Sequence, residues 1–252
     1  MTVKLSKRLQ LIADLVPRGA RLADIGSDHA LLPVHLAQSG VVALAVAGEV
    51  NPGPLEAAKR QVAESGQGRL VDVRGGNGLA VIGAGEVDTI TIAGMGGGLI
   101  ATILEEGKAK LDGVSRLILQ PNVGEELVRR WLDSEGWLLT SETIIEEDGK
   151  IYEILTAERG SAEALAALYA RRTLEGGLTL DKPRLQQLGP FLVGQKDEVW
   201  FRKWESELDK LAMIRRQLGL SESEASKNKA LELEREINDI REVLLCLQKV
   251  KR

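Results

Sequence analysis

The 252-residue sequence contains one cysteine, only two histidines and no long apolar run. The single cysteine, Cys246, excludes an internal disulfide and a metal site built from several cysteines, and it suits a reducing compartment. A metal site needs three or four convergent donors, and no such spacing occurs, so we expect no bound metal. No segment is apolar enough to cross a bilayer, and the first residues lack the pattern of a signal peptide. We therefore expect a cytoplasmic protein without a membrane anchor.

The sequence also lacks a basic excess, because its formal net charge is -4. The tail from Asp197 onward is neutral, with 12 basic and 12 acidic residues. Affinity for nucleic-acid phosphates normally comes from lysine and arginine, so any RNA contact must come from a local patch. Five pairs of adjacent basic residues are candidates for such a patch: Lys59-Arg60, Arg129-Arg130, Arg171-Arg172, Arg202-Lys203 and Arg215-Arg216.

Strand-like and helix-like segments alternate through the first part of the chain. An amphipathic helix is predicted at 4 to 16, ending near Pro17. Strands are predicted at 21–26, 43–50, 70–73, 88–94 and 116–121. Helices are predicted between them at 29–39, 53–65, 98–110 and 123–135. This alternation indicates an α/β fold, a doubly wound parallel sheet with helices on both faces.

Two further patterns complete the fold prediction. Asp148-Gly149 lies between two β-prone runs and predicts a tight antiparallel hairpin. Five parallel strands closed by an antiparallel pair are typical of the Rossmann-like sheet of class I methyltransferases. Apolar residues at helical spacing on both sides of a polar turn predict a C-terminal antiparallel two-helix coiled coil. The expected domains are a Rossmann-like domain at 1–160, a connecting insertion at 161–196 and the helical hairpin at 197–252.

The end of the first predicted strand carries the clearest signal of a ligand. Asp24, Gly26, Ser27, Asp28 and His29 follow one another there, and the glycine permits a sharp strand-to-helix turn. The G-x-G-x-x-G pattern for a pyrophosphate is missing, and a carboxylate would repel phosphate oxygens. The ammonium and sulfonium groups of S-adenosylmethionine, by contrast, attract carboxylates. An acid that caps the next helix is the alternative reading.

The next two strand ends predict contacts to the nucleoside part of that cofactor. Glu49, followed by Val50, is the candidate acceptor for the ribose hydroxyls. Asn77, followed by Gly78, is the candidate for the edge of the adenine. Each residue is a weak signal alone, but together they describe one crevice along the carboxyl edge of the sheet.

The fourth and fifth strand ends are the candidates for the reacting end of the site. Ala93, Gly94, Met95 and Gly96 begin a glycine-rich run, where backbone is expected to approach the ligand. A flexible loop that opens a helix, with Met95 as ordinary packing, is the alternative. Gln120 and Asn122 flank Pro121 and offer amides that can read a base edge. The predicted catalytic residues are Asp28, Gly94, Met95, Gln120 and Asn122.

At this point the motifs resemble those of the bacterial tRNA (adenine(22)-N(1))-methyltransferases. The resemblance covers residue 4 to nearly 205. It rests on L-S-K-R-L at 5–9, A-D-I-G-S-D-H-A at 23–30, A-G-E at 47–49, A-K-R-Q-V at 58–62, I-A-G-M-G-G at 92–97, L-I-L-Q-P-N at 117–122 and G-P-F-L at 189–192. Leu31 stands where the family often has an aromatic residue, and 161–187 looks longer than usual.

The resemblance implies S-adenosylmethionine as cofactor, tRNA as substrate and N1 of adenine 22 in the D arm as target. It also implies a coiled-coil tail that helps to hold the RNA, and Arg8, within the first motif, joins the expected cofactor contacts. N1 of neutral adenosine already presents a lone pair, so the reaction needs alignment more than a strong base. The base must leave its pairing to be reached. Asp28 could steady the sulfonium or accept a proton from the exocyclic amine, whereas we favour a structural role for His29.

Three other functions stay open from the sequence. A dinucleotide-dependent oxidoreductase is opposed by the missing glycines, and a noncatalytic RNA-binding module would keep the crevice without turnover. An N6-adenine methyltransferase usually has an Asn/Asp-Pro-Pro-aromatic turn, where this chain has Ala93-Gly94-Met95-Gly96. Trp200 and Trp204 could stack on bases, but their helical spacing favours core packing. We expect a monomer or a weak homodimer.

Overall fold

A computed structural model describes residues 3–221 and 223–249, except for the side chain of residue 249. The chain divides into two compact units, Met1–Leu168 and Tyr169–Arg252. The predicted connecting insertion, 161–196, is therefore shared between the two units. Within the described ranges, no helix combines the length and the apolar character needed to span a membrane.

The first unit is built on one seven-stranded sheet with the order β3-β2-β1-β4-β5-β7-β6. β1 to β5 are parallel, and β7 runs antiparallel to both β5 and β6. The strands are β1 Ala20–Ile25, β2 Val42–Glu49, β3 Val71–Gly75, β4 Thr89–Gly96, β5 Arg116–Val123, β6 Trp137–Glu147 and β7 Lys150–Arg159. The chain order reverses between β1 and β4, where open α/β sheets bind their ligands.

Six α-helices and two short 3-10 helices, Gly78–Val81 and Lys108–Lys110, belong to the described part of this unit. The α-helices are α1 Lys7–Leu15, α2 Leu31–Gln38, α3 Pro52–Glu64, α4 Gly97–Glu106, α5 Glu125–Ser134 and α6 Ala162–Leu168. Buried aliphatic side chains from α1, α2, β1 and β2 form one core cluster, which includes Ile12, Leu22, Leu36 and Ala45. The predicted strands and helices and the hairpin at Asp148-Gly149 are all observed, with bounds that move by a few residues.

A fully buried charged cluster, the buried triad, ties α5 to the hairpin. Arg129 on α5 donates from Nε to Glu142 on β6 at 2.6 Å, and from Nη2 to Glu153 on β7. The three side chains are at most 1% exposed. Arg129 is thus a core residue and not part of an RNA-binding patch, and only Arg130 of that basic pair lies at the surface.

The described part of the second unit contains a two-stranded ribbon and four helices. They are β8 Arg172–Thr173, β9 Thr179–Leu180, α7 Lys182–Leu188, α8 Leu192–Gln195, α9 Glu198–Leu218 and α10 Glu224–Lys249. α9 and α10 form the predicted helical hairpin, whose residues 222 and 250–252 lie outside the described ranges. Trp200 and Trp204 are buried, and Trp200 Nε1 donates to the carbonyl of Leu188 at 2.9 Å. These two tryptophans therefore belong to the core of the unit.

Candidate active site

A polar cavity of about 330 Å³ opens at the carboxyl ends of β1 and β4, at the point where the sheet order reverses. Its walls come from α1, the turn after β1, the ends of β4 and β5, and β7. The lining residues are Arg8, Leu9, Asp24, Gly26, Ser27, Asp28, His29, Leu31, Leu32, Ala93, Gly94, Asn122 and Tyr152. A larger depression of about 650 Å³ beside the N-terminal segment is mostly apolar and has no carboxylate among its lining residues. The polar cavity is therefore the candidate site.

The turn after β1 presents two carboxylates in different surroundings. Asp24 is buried, and its carboxylate accepts hydrogen bonds from Ser27 Oγ and from Thr91 Oγ1, both at 2.6 Å. Burial raises the pKa of Asp24, against the opposing effect of these hydroxyl donors and of the positive charge of Arg8. Asp28 has a left-handed backbone, with φ of 52°, and its side chain is 69% exposed. Asp24 thus stabilises the turn, while the exposed Asp28 side chain lines the cavity.

Glu49 joins the end of β2 to this turn. One of its oxygens accepts from the backbone N–H of Asp28 at 3.3 Å, and the other accepts from the backbone N–H of Asn51 at 2.8 Å. The side chain of Glu49 is almost completely buried. The His29 ring lies 3.5 Å from the Asp28 carboxylate and is 58% exposed. Glu49 therefore fixes the backbone that carries Asp28 into the cavity.

The amides of Gln120 and Asn122 form a closed network with the end of β4. Gln120 Oε1 accepts from the backbone N–H of Gly94 at 3.1 Å, and Asn122 Nδ2 donates to the carbonyl of Gly94 at 2.8 Å. Gln120 Nε2 donates to Asn122 Oδ1 at 3.1 Å and to the carbonyl of Pro121 at 2.8 Å. These amides hold two strand ends together, so much of their hydrogen-bonding capacity is used within the protein.

Arg8 on α1 and Tyr152 on β7 also line the cavity. The Arg8 guanidinium donates from Nη1 to Gln120 Oε1 and lies over the Tyr152 ring, 5.2 Å from its centre. The antiparallel register pairs Leu119 with Leu155, so that β7 brings Tyr152 to the same carboxyl edge as Asn122. Arg8 is the only lysine or arginine among the described residues that line the cavity.

The structure brings most of the predicted site residues together. Seven predicted cofactor contacts line the cavity with Arg8, namely Asp24, Gly26, Ser27, Asp28, His29, Ala93 and Gly94, and so does the predicted catalytic residue Asn122. Gln120 and Glu49 stand directly behind this wall through the hydrogen bonds described above. The remaining predicted residues, Val50, Asn77, Gly78, Met95 and Gly96, do not line the cavity.

Met95 and Asn77 illustrate why those residues lie elsewhere. A Cβ on Gly26 would stand 2.1 Å from the Met95 methyl carbon, so the Met95 side chain packs over the glycine of the turn. Asn77 is exposed beyond β3, one strand past Glu49 along the same edge. Met95 thus packs against the protein, as the alternative interpretation of the sequence expected. Asn77 lies at the far end of the crevice.

Sequence reasoning did not assign Tyr152, Leu9, Leu31 or Leu32 to the site. Tyr152 comes three residues after the Asp148-Gly149 turn, and the hairpin geometry alone would have sent the start of β7 toward the carboxyl edge of the sheet. Leu9 follows Arg8 on α1, whose docking position the sequence does not specify. Within residues 3–221 and 223–249, no group of three His, Cys, Asp or Glu side chains is placed to hold a metal ion.

Comparisons with known proteins identify the family. The model of the tRNA (adenine(22)-N(1))-methyltransferase family matches residues 22–242. The chain is 46% identical to the Bacillus subtilis (strain 168) tRNA (adenine(22)-N(1))-methyltransferase over 243 residues, which are 96% of this chain and 98% of the relative. The chain belongs to the tRNA (adenine(22)-N(1))-methyltransferase family. The resemblance noted in the sequence is confirmed.

Solved structures agree with this membership of the tRNA (adenine(22)-N(1))-methyltransferase family. The crystal structure of the B. subtilis enzyme superposes with a TM-score of 0.85, at 45% identity, and covers 96% of this chain and 99% of that one. The M. capricolum enzyme, solved with the cofactor product S-adenosyl-homocysteine, gives a TM-score of 0.76 at 26% identity, over 96% of this chain and 99% of that one. The predicted Rossmann-like fold, methyltransferase activity and S-adenosylmethionine cofactor are thereby confirmed.

Proposed function

We propose that this chain transfers the methyl group of S-adenosylmethionine to N1 of adenine 22 in the D arm of tRNA, using the polar cavity between β1 and β4. The observation that carries the proposal is the pair of carboxylates, Asp24 and Asp28, at a strand-to-helix turn that has no phosphate cradle. Such a turn favours a cationic nucleoside ligand over a dinucleotide. Membership of the family gives the target base.

The donor set of the cavity fits the charged groups of S-adenosylmethionine, which supplies an electrophilic methyl group when it is bound. Asp28 and Asp24 present negative charge to the ammonium and sulfonium groups. Arg8 presents the positive charge that suits the carboxylate of the cofactor, and several of its five N–H donors are not used by Gln120. Glu49 and Asn77 stand along the edge toward β3, where the ribose and the adenine would lie.

The protein acts on the target base mainly by positioning. The Gln120–Asn122–Gly94 network fixes the ends of β4 and β5, so that backbone and Tyr152 meet the incoming base at a rigid edge. The N1 lone pair needs no deprotonation, and alignment accounts for most of the rate. As positive charge develops on the purine, the Asp28 carboxylate stabilises that charge or accepts a proton from the exocyclic amine. Tyr152, at the β5 side of the cavity, offers a ring for stacking.

A methyl-transfer assay with primer extension tests the proposed reaction. Purified protein is incubated with labelled S-adenosylmethionine and unmodified tRNA, and the product is mapped by reverse transcription, because a methyl group on N1 blocks pairing. We expect label transfer and a stop at position 22, and neither with the same tRNA carrying guanosine at that position. No label transfer to any tRNA, with cofactor bound, would refute the proposal.

The variant Asp28→Asn tests the charge within this mechanism. Because the carboxylate faces the developing positive charge, we expect kcat at saturating cofactor to fall about 10- to 100-fold. The same carboxylate attracts the cationic groups of S-adenosylmethionine, so we also expect the Kd for the cofactor to rise about three- to tenfold. Asp112→Asn is the matched control, since Asp112 is exposed just before β5, at the opposite edge of the sheet. Wild-type turnover of Asp28→Asn with normal cofactor binding would remove Asp28 from the mechanism.

Four further points are proposals. We infer that residues 1–160 carry the catalytic site and that the helical hairpin at 197–252 helps to hold tRNA. A cytoplasmic location agrees with a tRNA substrate. We also infer that the protein is a monomer or a weak homodimer.

A further inference from the structure

The N-terminal helix α1 begins with no acidic residue in its first turn. Ser6 is its N-cap, and the hydroxyl accepts from the backbone N–H of Leu9 at 3.3 Å. The first N–H groups of a helix still need acceptors, and they favour negative charge. Here a carboxylate from a β-strand supplies both the hydrogen-bond acceptor and the negative charge.

That carboxylate belongs to Glu147, the last residue of β6. One oxygen accepts from the backbone N–H of Lys7 at 2.5 Å, and the other accepts from the backbone N–H of Arg8 at 3.3 Å. Desolvation opposes the charge, but these two donors, the Ser6 hydroxyl and the Arg8 charge together lower the pKa of Glu147. The end of β6 is thus hydrogen-bonded to the start of α1, which lies about 140 residues earlier in the chain.

The helix start that Glu147 binds also contributes residues to the active site. Arg8 and Leu9, on the same first turn, line the cavity. The Arg8 side chain then contacts Tyr152, on the other strand of the same hairpin, and Gln120, which bonds Gly94. The hairpin therefore holds Arg8 twice, at its backbone through Glu147 and at its side chain through Tyr152.

We propose that Glu147 is a positioning residue, which holds Arg8 where its guanidinium receives the carboxylate of S-adenosylmethionine. The inference rests on the proposed function, because that function assigns Arg8 to the cofactor. Glu147 does not line the cavity, so its effect reaches the ligand through the backbone of α1. A positioning role and a simple charge effect predict opposite changes in the affinity for the cofactor carboxylate. Removing a nearby negative charge alone would strengthen the binding of an anionic group, whereas releasing Arg8 weakens it.

Binding of two ligands separates positioning from general damage. S-adenosylhomocysteine carries the carboxylate, and 5′-methylthioadenosine shares its nucleoside and thioether but has no amino-acid group. Titration calorimetry would give both Kd values for the wild type, Glu147→Gln, Arg8→Ala and the double variant. The exposed neighbour Glu146→Gln removes the same charge one residue away and is the matched control.

We expect Glu147→Gln to raise the Kd of S-adenosylhomocysteine about three- to tenfold, and to leave the Kd of 5′-methylthioadenosine within about twofold. Glu146→Gln should change neither value. In the Arg8→Ala background, Glu147→Gln should have no further effect on S-adenosylhomocysteine, because the group that it positions is gone. Glu147→Asp, which keeps the charge, should recover part of the affinity.

Three results would overturn the proposal: an unchanged or lower Kd for S-adenosylhomocysteine in Glu147→Gln, an equal loss for both ligands, or additive effects in the double variant. These measurements need no tRNA and no turnover. Failure of methyl transfer would therefore refute the proposed function and leave the ligand comparison intact, while an unchanged ligand ratio would refute the role of Glu147 alone.

Discussion

Gly97→Ala is expected to separate two helices that pack backbone against backbone beside the active site. Gly97 is the first residue of α4, and Gly124, the N-cap of α5, lies against it. A Cβ on Gly97 would stand 2.0 Å from the carbonyl oxygen of Gly124 and 2.7 Å from its carbonyl carbon. Both are backbone atoms, so no side-chain rotation relieves the overlap.

The size of the effect follows from this overlap. Ordinary contact for a Cβ begins near 3.4 Å, so the two helix starts must move apart by more than about 1 Å, and overpacking of this kind costs about 1–3 kcal/mol. In a domain of this size that corresponds to a fall in Tm of roughly 3–10 °C. The displaced segment continues into the Gly94 loop, and such a shift at a positioning site lowers kcat by about tenfold or more.

Two neighbouring glycines are matched controls for Gly97→Ala. A Cβ on Gly96 meets nothing within 4 Å, and one on Gly98 meets only a Leu127 methyl group at 3.6 Å. Gly96→Ala should therefore be neutral, and Gly98→Ala should gain up to about 1 kcal/mol from helix propensity. Thermal unfolding and the methyl-transfer assay measure both quantities. A Tm for Gly97→Ala equal to that of Gly96→Ala would refute the contact.

Two more predictions concern charges outside the cavity. Hydrogen bonds from Arg74 lower the pKa of Glu86 to about 2, so the stability that this pair contributes is complete above the ordinary value near 4.5 and is lost as the pH falls toward 2. Unfolding of Glu86→Gln should then depend less on pH in that interval, and an unchanged pH profile would contradict this. Arg129→Met removes the positive charge that the two carboxylates of the buried triad share and should cost about 3–5 kcal/mol in urea unfolding. The exposed neighbour variant Arg130→Met should stay within about 0.5 kcal/mol, and equal losses would show that burial is not the cause.

The fold was accessible from the sequence because its signals are local. Each parallel strand is a short apolar run followed by a helical period, and the Asp148-Gly149 turn marks the antiparallel pair. The buried triad was not accessible. Arg129 sits beside Arg130 in the sequence, and only the packing of α5 on the hairpin decides which of the two is buried.

The residues of the candidate site were likewise predictable from the sequence only in part. Residues at the ends of β1 and β4 were predicted because the carboxyl edge of a parallel sheet collects them, and Asp28 and Gly94 do line one cavity. Tyr152 was within reach of the same reasoning, because the Asp148-Gly149 turn directs the start of β7 toward that edge. Leu9, by contrast, depends on how a terminal helix docks on the sheet. Docking is a tertiary property with no local pattern, so a single sequence does not contain a signal for it.

Gln120 and Asn122 lie at the strand end where the sequence placed them, but their amides bond within the protein. Their sequence position at a strand end suggested that they read a base edge, yet the structure engages them with one another, with Arg8 and with both backbone groups of Gly94. A base contact would have to come from their remaining lone pairs or after the network opens, and opening costs the bonds that hold β4 to β5. An enzyme that aligns a lone pair gains more from a rigid edge than from a flexible reader. The network therefore favours a framework role for these amides, and we propose that Asp28 and Tyr152 are the side chains that meet the base.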